Sequence, residues 1–170
     1  HARLARVFAE VMILAAYGFD KYKSKQDPNK GPLKLTFVTA DKSFKTQLDR
    51  ELAQIQALGD AVTVTRDWSN EPSNIGTPEY FAGEARKLAR QYGIQCKILT
   101  EKDAAREKMG LFIGVGQGAE REGRIVVLDY KPKGVKSPKT LAFVGKGVTF
   151  DSGGISIKPS TRMEDMKHDM

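Results

Sequence analysis

Apolar residues recur at helical spacing from the first residues of the chain. Leu4, Val7, Phe8, Val11, Met12, Leu14 and Ala15 keep a helical period and predict a helix over Ala2 to Phe19, packed on one side. Tyr22 to Pro32 is polar and carries Pro28, Asn29 and Gly31, so it is expected to be a loop. Leu33 to Val38 alternates apolar and polar and predicts a strand. From Ser43 to Leu58 the stripe Phe44, Leu48, Leu52, Ile55, Leu58 predicts a second helix. It can run through Gly59 as far as Trp68, because glycine inside a helix costs only about 1 kcal/mol against alanine.

The second half alternates strand and helix signals. Thr77-Pro78-Glu79 is a helix start, with an N-cap hydroxyl, proline at the first helical position and acid in the first turn. The helix from Glu79 to Tyr92 is expected to end on Gly93. A strand at Ile94–Leu99, a short helix beginning near Glu101 and a strand at Leu111–Val115 follow. Arg124–Tyr130 and Thr140–Val144 supply two further candidate buried strands. This alternation predicts an α/β fold, a mixed sheet sandwiched by helices. Gly114-Val115-Gly116-Gln117-Gly118 has its third glycine misplaced for a dinucleotide fingerprint, and Glu120-Arg121-Glu122-Gly123 leads into another strand, which argues against NAD binding.

Composition narrows the class. With 170 residues the chain holds one ordinary domain or parts of two. No run of 18 apolar residues occurs, so no segment is expected to span a membrane. Val7 to Phe19 is the most apolar window, but Glu10 interrupts it and no small-residue cleavage site follows, which argues against a signal peptide. Cys96 is the single cysteine, lies in a strand-like run and is expected to be a buried thiol. Together these point to a cytoplasmic protein. The net charge of +7 raises a nucleic-acid reading. The basic residues are spread, however, over Arg3, Arg6, Lys21, Lys23 and Lys25, then Lys131, Lys133, Lys136 and Lys139. Tyr130 is the one aromatic beside the last four, so a solvated surface is the default.

The chemistry concentrates in Val144–Met170. An apolar run, Leu141 to Val144, leads into a turn with Gly145, Gly147, Ser152, Gly153 and Gly154, where backbone can approach closely. Lys146, Asp151 and Lys158 project from it, and Met163 to Met170 is expected to form the first turns of a helix. There Met163, Met166 and Met170 would share one face, and Asp165 and Asp169 another. Carboxylate oxygens of Asp151 and Asp169 suit a divalent cation. A neutral Lys146 becomes plausible as a ligand only beside such a cation, which disfavours its ammonium form. Read from composition alone, the two lysines and Asp151 also fit an ordinary solvated loop. His1, a chain end, and His168 are not favoured as ligands.

Residue order separates the two readings. Gly145-Lys146-Gly147-Val148-Thr149-Phe150-Asp151-Ser152-Gly153-Gly154, then Ser156-Ile157-Lys158-Pro159, then Met163 to Met170, closely resembles the leucyl aminopeptidase family of dinuclear metallopeptidases. The resemblance implies that Lys146, Asp151 and Asp169 are metal ligands, with Asp151 bridging two ions. It implies that Lys158 is an electrophilic catalytic lysine that contacts substrate, and that Met166 lines the pocket for the substrate's first side chain. The expected cofactors are two divalent ions, Zn²⁺ with Mn²⁺ or Mg²⁺ able to occupy one position, and a bicarbonate held by a catalytic arginine. The expected activity is removal of N-terminal, leucine-like residues from peptides by a metal-activated water in a cytosolic homo-hexamer.

Arg66-Asp67-Trp68-Ser69-Asn70-Glu71-Pro72-Ser73-Asn74 resembles the signature where the family's interdomain helix ends. This implies that residues 1–62 close a smaller N-terminal α/β domain plus that helix, and that 63–170 open the catalytic domain. The family's remaining ligands and its arginine lie in an Asn-Thr-Asp-Ala-Glu-Gly-Arg motif that this chain does not contain, so a fragment of a longer enzyme, inactive alone, is expected. Some members also bind DNA. A DNA-binding or scaffolding protein that keeps the peptidase fold is therefore the alternative reading.

Overall fold

The computed structural model describes residues 2–25, 34–135 and 139–170. The loop expected beyond Lys25, together with Leu33, Lys136 and His1, lies outside them. The chain divides into two compact units, residues 1–70 and 71–170.

The first unit is a helix pair, α1 (Ala2–Ala15) packed on α2 (Lys42–Asn70). Ala9, Leu48 and Ile55 are buried there, and Gly59 is buried within α2. The helix does continue through Gly59, and the position has a use: a β-carbon on it would fall well inside van der Waals contact distance of Ile13 Cγ2. The side chain of Asp41 satisfies the first amides of α2, accepting from the N–H groups of Ser43 and Phe44 at 2.8 and 3.3 Å. At the other end, Arg66 donates to the carbonyl of Leu14 at 2.7 Å, an orphan acceptor at the end of α1. The Tyr17 hydroxyl donates to Asp67 Oδ1 at 2.9 Å and accepts from Asn70 Nδ2 at 3.0 Å. Burial is the main reason that the Tyr17 hydroxyl is pushed above its ordinary pKa. Asp67 and Asn70 thus act as helix-end groups. The boundary expected between residues 62 and 63 lies inside α2, which is continuous to Asn70.

The strand expected at Leu33–Val38 is not formed among its described residues, 34–38, and Val38 is 94% exposed. A strand's backbone groups need a neighbouring strand, and among the described residues none lies beside this one. Phe37 sets its ring edge-on to Phe8, centroids 6.4 Å apart.

The second unit is built on α3 (Pro78–Tyr92), which packs against both strands of a small antiparallel sheet, β1 (Gln95–Leu99) and β2 (Ile125–Asp129). Thr77 caps α3 by accepting from the Tyr80 amide at 3.2 Å, and Gly93 ends it at φ 65°. The buried positions of α3 are Ala82, Ala85 and Ala89. In the sheet, Cys96 pairs with Leu128 and Ile98 with Val126, so these four share one face. Cys96 is half-buried, less enclosed than the buried thiol expected, because the sheet stops at two strands among the described residues. Following β1, α4 (Glu101–Arg106) opens on a capping box in which Thr100 and Asp103 each bond the other's backbone amide. Those bonds from Thr100 hold the Asp103 carboxyl below the usual carboxylate range. The α/β class is as expected.

Two strands are corrected. Leu111–Val115 lies in a helix, α5 (Gly110–Gly116), so the glycine-rich stretch there is helical at its start and not a turn. A short apolar run carries no period of its own, and this one lies with Leu111 91% exposed instead of inside a sheet. The run Thr140–Val144 is also no strand: Leu141, Phe143 and Val144 are 79, 90 and 97% exposed. It has no paired strand among the described residues, so hydrophobicity alone does not order it. The last element, Met163–Asp169, is a 3-10 helix and not the start of an α-helix. Arg162, at φ 60°, precedes it without a side-chain cap. At three residues per turn, positions 165 and 169 no longer stack, and Met170 leaves the Met163–Met166 row.

Gly59→Ala is expected to destabilise the helix pair by about 1–2 kcal/mol despite alanine's better helix propensity, because β-branched Ile13 has one favoured helical rotamer and cannot swing away cheaply. Ile13→Ala removes the obstructing methyl, so urea titration of the double variant should show a smaller penalty for Gly59→Ala than in the wild type. For α4, the carboxyl of Asp103 is depressed in the folded state, so its contribution is present above the ordinary value of 3.8 and is lost as pH falls through the folded value. Asp103→Asn should lower the melting temperature at pH 7 and shrink its further fall on acidification. Parallel melting curves with equal acid slopes would contradict this.

Candidate functional site

The turn between Asp151 and Lys158 is held by its own backbone. The Lys158 amide donates to the Ser152 carbonyl at 2.9 Å, closing the loop over Gly153 and Gly154. Both glycines have positive φ, 91° and 67°. Gly153 is also sterically required: a β-carbon would run into the Ser156 carbonyl oxygen and lie 3.0 Å from the Lys158 nitrogen. The Gly153 amide in turn donates to Asp151 Oδ1 at 3.0 Å, which orients the carboxylate.

Tight closure brings two side chains seven positions apart into contact. Lys158 Nζ donates to Asp151 Oδ2 at 2.9 Å and to the Met166 sulfur at 3.1 Å. Met166 is there because the Asp151 amide donates to the Met166 carbonyl at 3.3 Å, tying the 3-10 helix to the turn. The pair is part-exposed, with 37% of the Lys158 and 35% of the Asp151 side chain accessible, so it is reachable by a ligand. At the start of the 3-10 helix, Arg162 Nε and Nη2 both donate to Asp165 Oδ2 at 2.8 Å.

Of the five residues singled out from sequence, Asp151, Lys158 and Met166 therefore converge. Lys146 lies on the irregular segment preceding them and is exposed. The backbone of Asp169 belongs to the 3-10 helix, and its side chain lies outside the described part. Among the described residues no three His, Cys, Asp or Glu side chains cluster closely enough to form a metal site by themselves. The donor chemistry at Asp151 nonetheless fits a divalent cation: a hard, part-exposed carboxylate whose Oδ1 is oriented by the Gly153 amide. Two features escaped the sequence reading. The direct Lys158–Asp151 contact could have been inferred from the paired glycines, which shorten the path between them. Arg162 in the left-handed region carries no local signal.

This chain is similar to known proteins along nearly its whole length. Residues 63–170 match the model of the cytosol aminopeptidase family, catalytic domain, and the chain belongs to that family. It is 44% identical to a probable cytosol aminopeptidase of Rhizobium rhizogenes, over 99% of this chain and 34% of that protein. Against the probable cytosol aminopeptidase of Azotobacter vinelandii the identity is 39%, over 97% and 33%. The chain thus spans about a third of the length of the curated relatives it matches. Among solved structures it superposes on the bottromycin maturation enzyme BotP in complex with Mn, with a TM-score of 0.78 at 35% identity, covering 98% of this chain and 33% of that one. A second structure of BotP gives a TM-score of 0.74 at 34% identity. No helix among the described residues is long and apolar enough to cross a membrane.

Gly153→Ala should cost roughly 1–3 kcal/mol from backbone strain alone, and more from the collision with Ser156. At Gly154 a β-carbon meets nothing within 4 Å, so Gly154→Ala should cost only the left-handed penalty, about 1–2 kcal/mol. Urea midpoints of the two variants should fall in that order.

Proposed function

We propose that this chain is part of a cytosolic aminopeptidase that hydrolyses the N-terminal peptide bond of peptides, with a preference for leucine-like residues. The observation that carries the reading is the contact of Lys158 with Asp151 across the double-glycine turn, in a chain of the cytosol aminopeptidase family. The catalytic domain opens near residue 63, and the intact protein works as a homo-hexamer.

In this reading Lys146, Asp151 and Asp169 are metal ligands, with further donors from the part of the enzyme that this chain does not span. Two divalent cations, Zn²⁺ or Mn²⁺, supply Lewis acidity and a water activated near neutral pH when bound. A Mn complex of the similar BotP supports divalent ions here. The chain's own residues do the rest. Asp151 Oδ2 accepts from Lys158 Nζ and so aims it, and Nζ donates to the carbonyl oxygen of the scissile bond, stabilising the negative charge that develops on it. Met166 offers the substrate's first side chain a polarisable, apolar wall directly beside that lysine.

The test is hydrolysis of leucine amide or leucyl p-nitroanilide by the full-length protein, after chelation and again after adding Zn²⁺ or Mn²⁺. Metal-restored turnover is the expected result. Silence in a folded, metal-loaded protein would overturn the reading and favour the DNA-binding alternative. Lys158→Ala should lower kcat by roughly 10²–10³ or more, the scale of a lost oxyanion donor, with no loss of metal. Asp151→Ala should lose metal.

A further inference from the structure

The charge of Lys158 bears on more than the substrate. Its ammonium lies 2.9 Å from Oδ2 of Asp151, the carboxylate assigned above to the metal, and this inference rests on that assignment. A lysine on a flexible stem would normally swing away from an arriving cation. Lys158 is restrained instead: its backbone amide is bonded to Ser152, and its Nζ is also bonded to the sulfur of Met166. Met166 is a neutral acceptor and offsets none of the ammonium's charge. The carboxylate of Asp165, the residue before Met166, is engaged by Arg162 at 2.8 Å. Among the described residues, the carboxylate bonded to this ammonium is therefore the one that a divalent ion would use.

We propose that Lys158 weakens divalent-cation binding at Asp151, acting as a built-in limit on metal affinity as well as a donor to substrate. Electrostatics sets the direction. A fixed unit charge repels a dication, and through a water-like medium at a few ångströms the effect is about ten-fold in affinity. The arrangement gives the site a reason to tolerate the cost: the carboxylate that binds metal also keeps the catalytic lysine oriented.

Mn²⁺ titration of the chelator-stripped full-length protein, followed by the electron paramagnetic resonance signal of the free ion, tests this without reference to turnover. Lys158→Gln should bind Mn²⁺ about ten-fold more tightly than wild type, whereas Lys158→Arg, which keeps the charge, should stay close to wild type. Lys158→Met, able to pack beside Met166, should tighten binding as well and covers the case in which glutamine disturbs the loop. Asp151→Asn should abolish the tight phase in both the wild-type and Lys158→Gln backgrounds. Equal or weaker binding by both neutral variants overturns the inference and leaves the metal reading standing. Absence of Mn²⁺ binding in every protein, wild type included, overturns the metal reading and this inference with it.

Discussion

The ion pair between Lys158 and Asp151 is the constraint on which the candidate site depends. Two oppositely charged groups that are each about two-thirds screened by protein gain little stability from one another. What the pair supplies is position. The lysine cannot reach the aspartate unless the chain reverses within a few residues, and that reversal needs Gly153 and Gly154 at positive φ. The 3-10 helix is then drawn in by the Asp151 amide, which puts the Met166 sulfur against the same ammonium. A backbone requirement, a charge pair and a thioether contact are thus one arrangement, and the chemistry proposed for it uses all three.

The helix pair of the first unit shows the same economy of means. Gly59 leaves room for Ile13 where a larger residue would hold the helices apart. At the far end, Arg66 satisfies the Leu14 carbonyl and its guanidinium lies over the Tyr17 ring at 5.3 Å, while Asp67 and Asn70 hold the Tyr17 hydroxyl. Residues that resemble a family signature in sequence are therefore occupied here with ending helices. In the second unit the small side chains of Ala82, Ala85 and Ala89 let α3 lie close on β1 and β2, and the α4 capping box sets where β1 ends.

Helices were legible in the sequence because their signals are local. Thr77-Pro78 and Gly93 bracket α3, and the Phe44-to-Leu58 stripe marks α2; each acts within a turn or two of itself. Strands were less so. The run at 125–129 is a strand and those at 34–38, 111–115 and 141–144 are not, although all four are apolar or alternating. The difference is that β2 has β1 beside it, and pairing is a non-local fact.

The sequence by itself determined the family, through the order of residues from Gly145 to Met170. It also determined where the chain must turn sharply, since only glycine adopts the conformation at positions 153 and 154 without strain. Tertiary structure alone decided that Lys158 rests on Asp151 and that Met166 reaches the same amine from a 3-10 helix. Those outcomes depend on distances between segments, which no local pattern encodes.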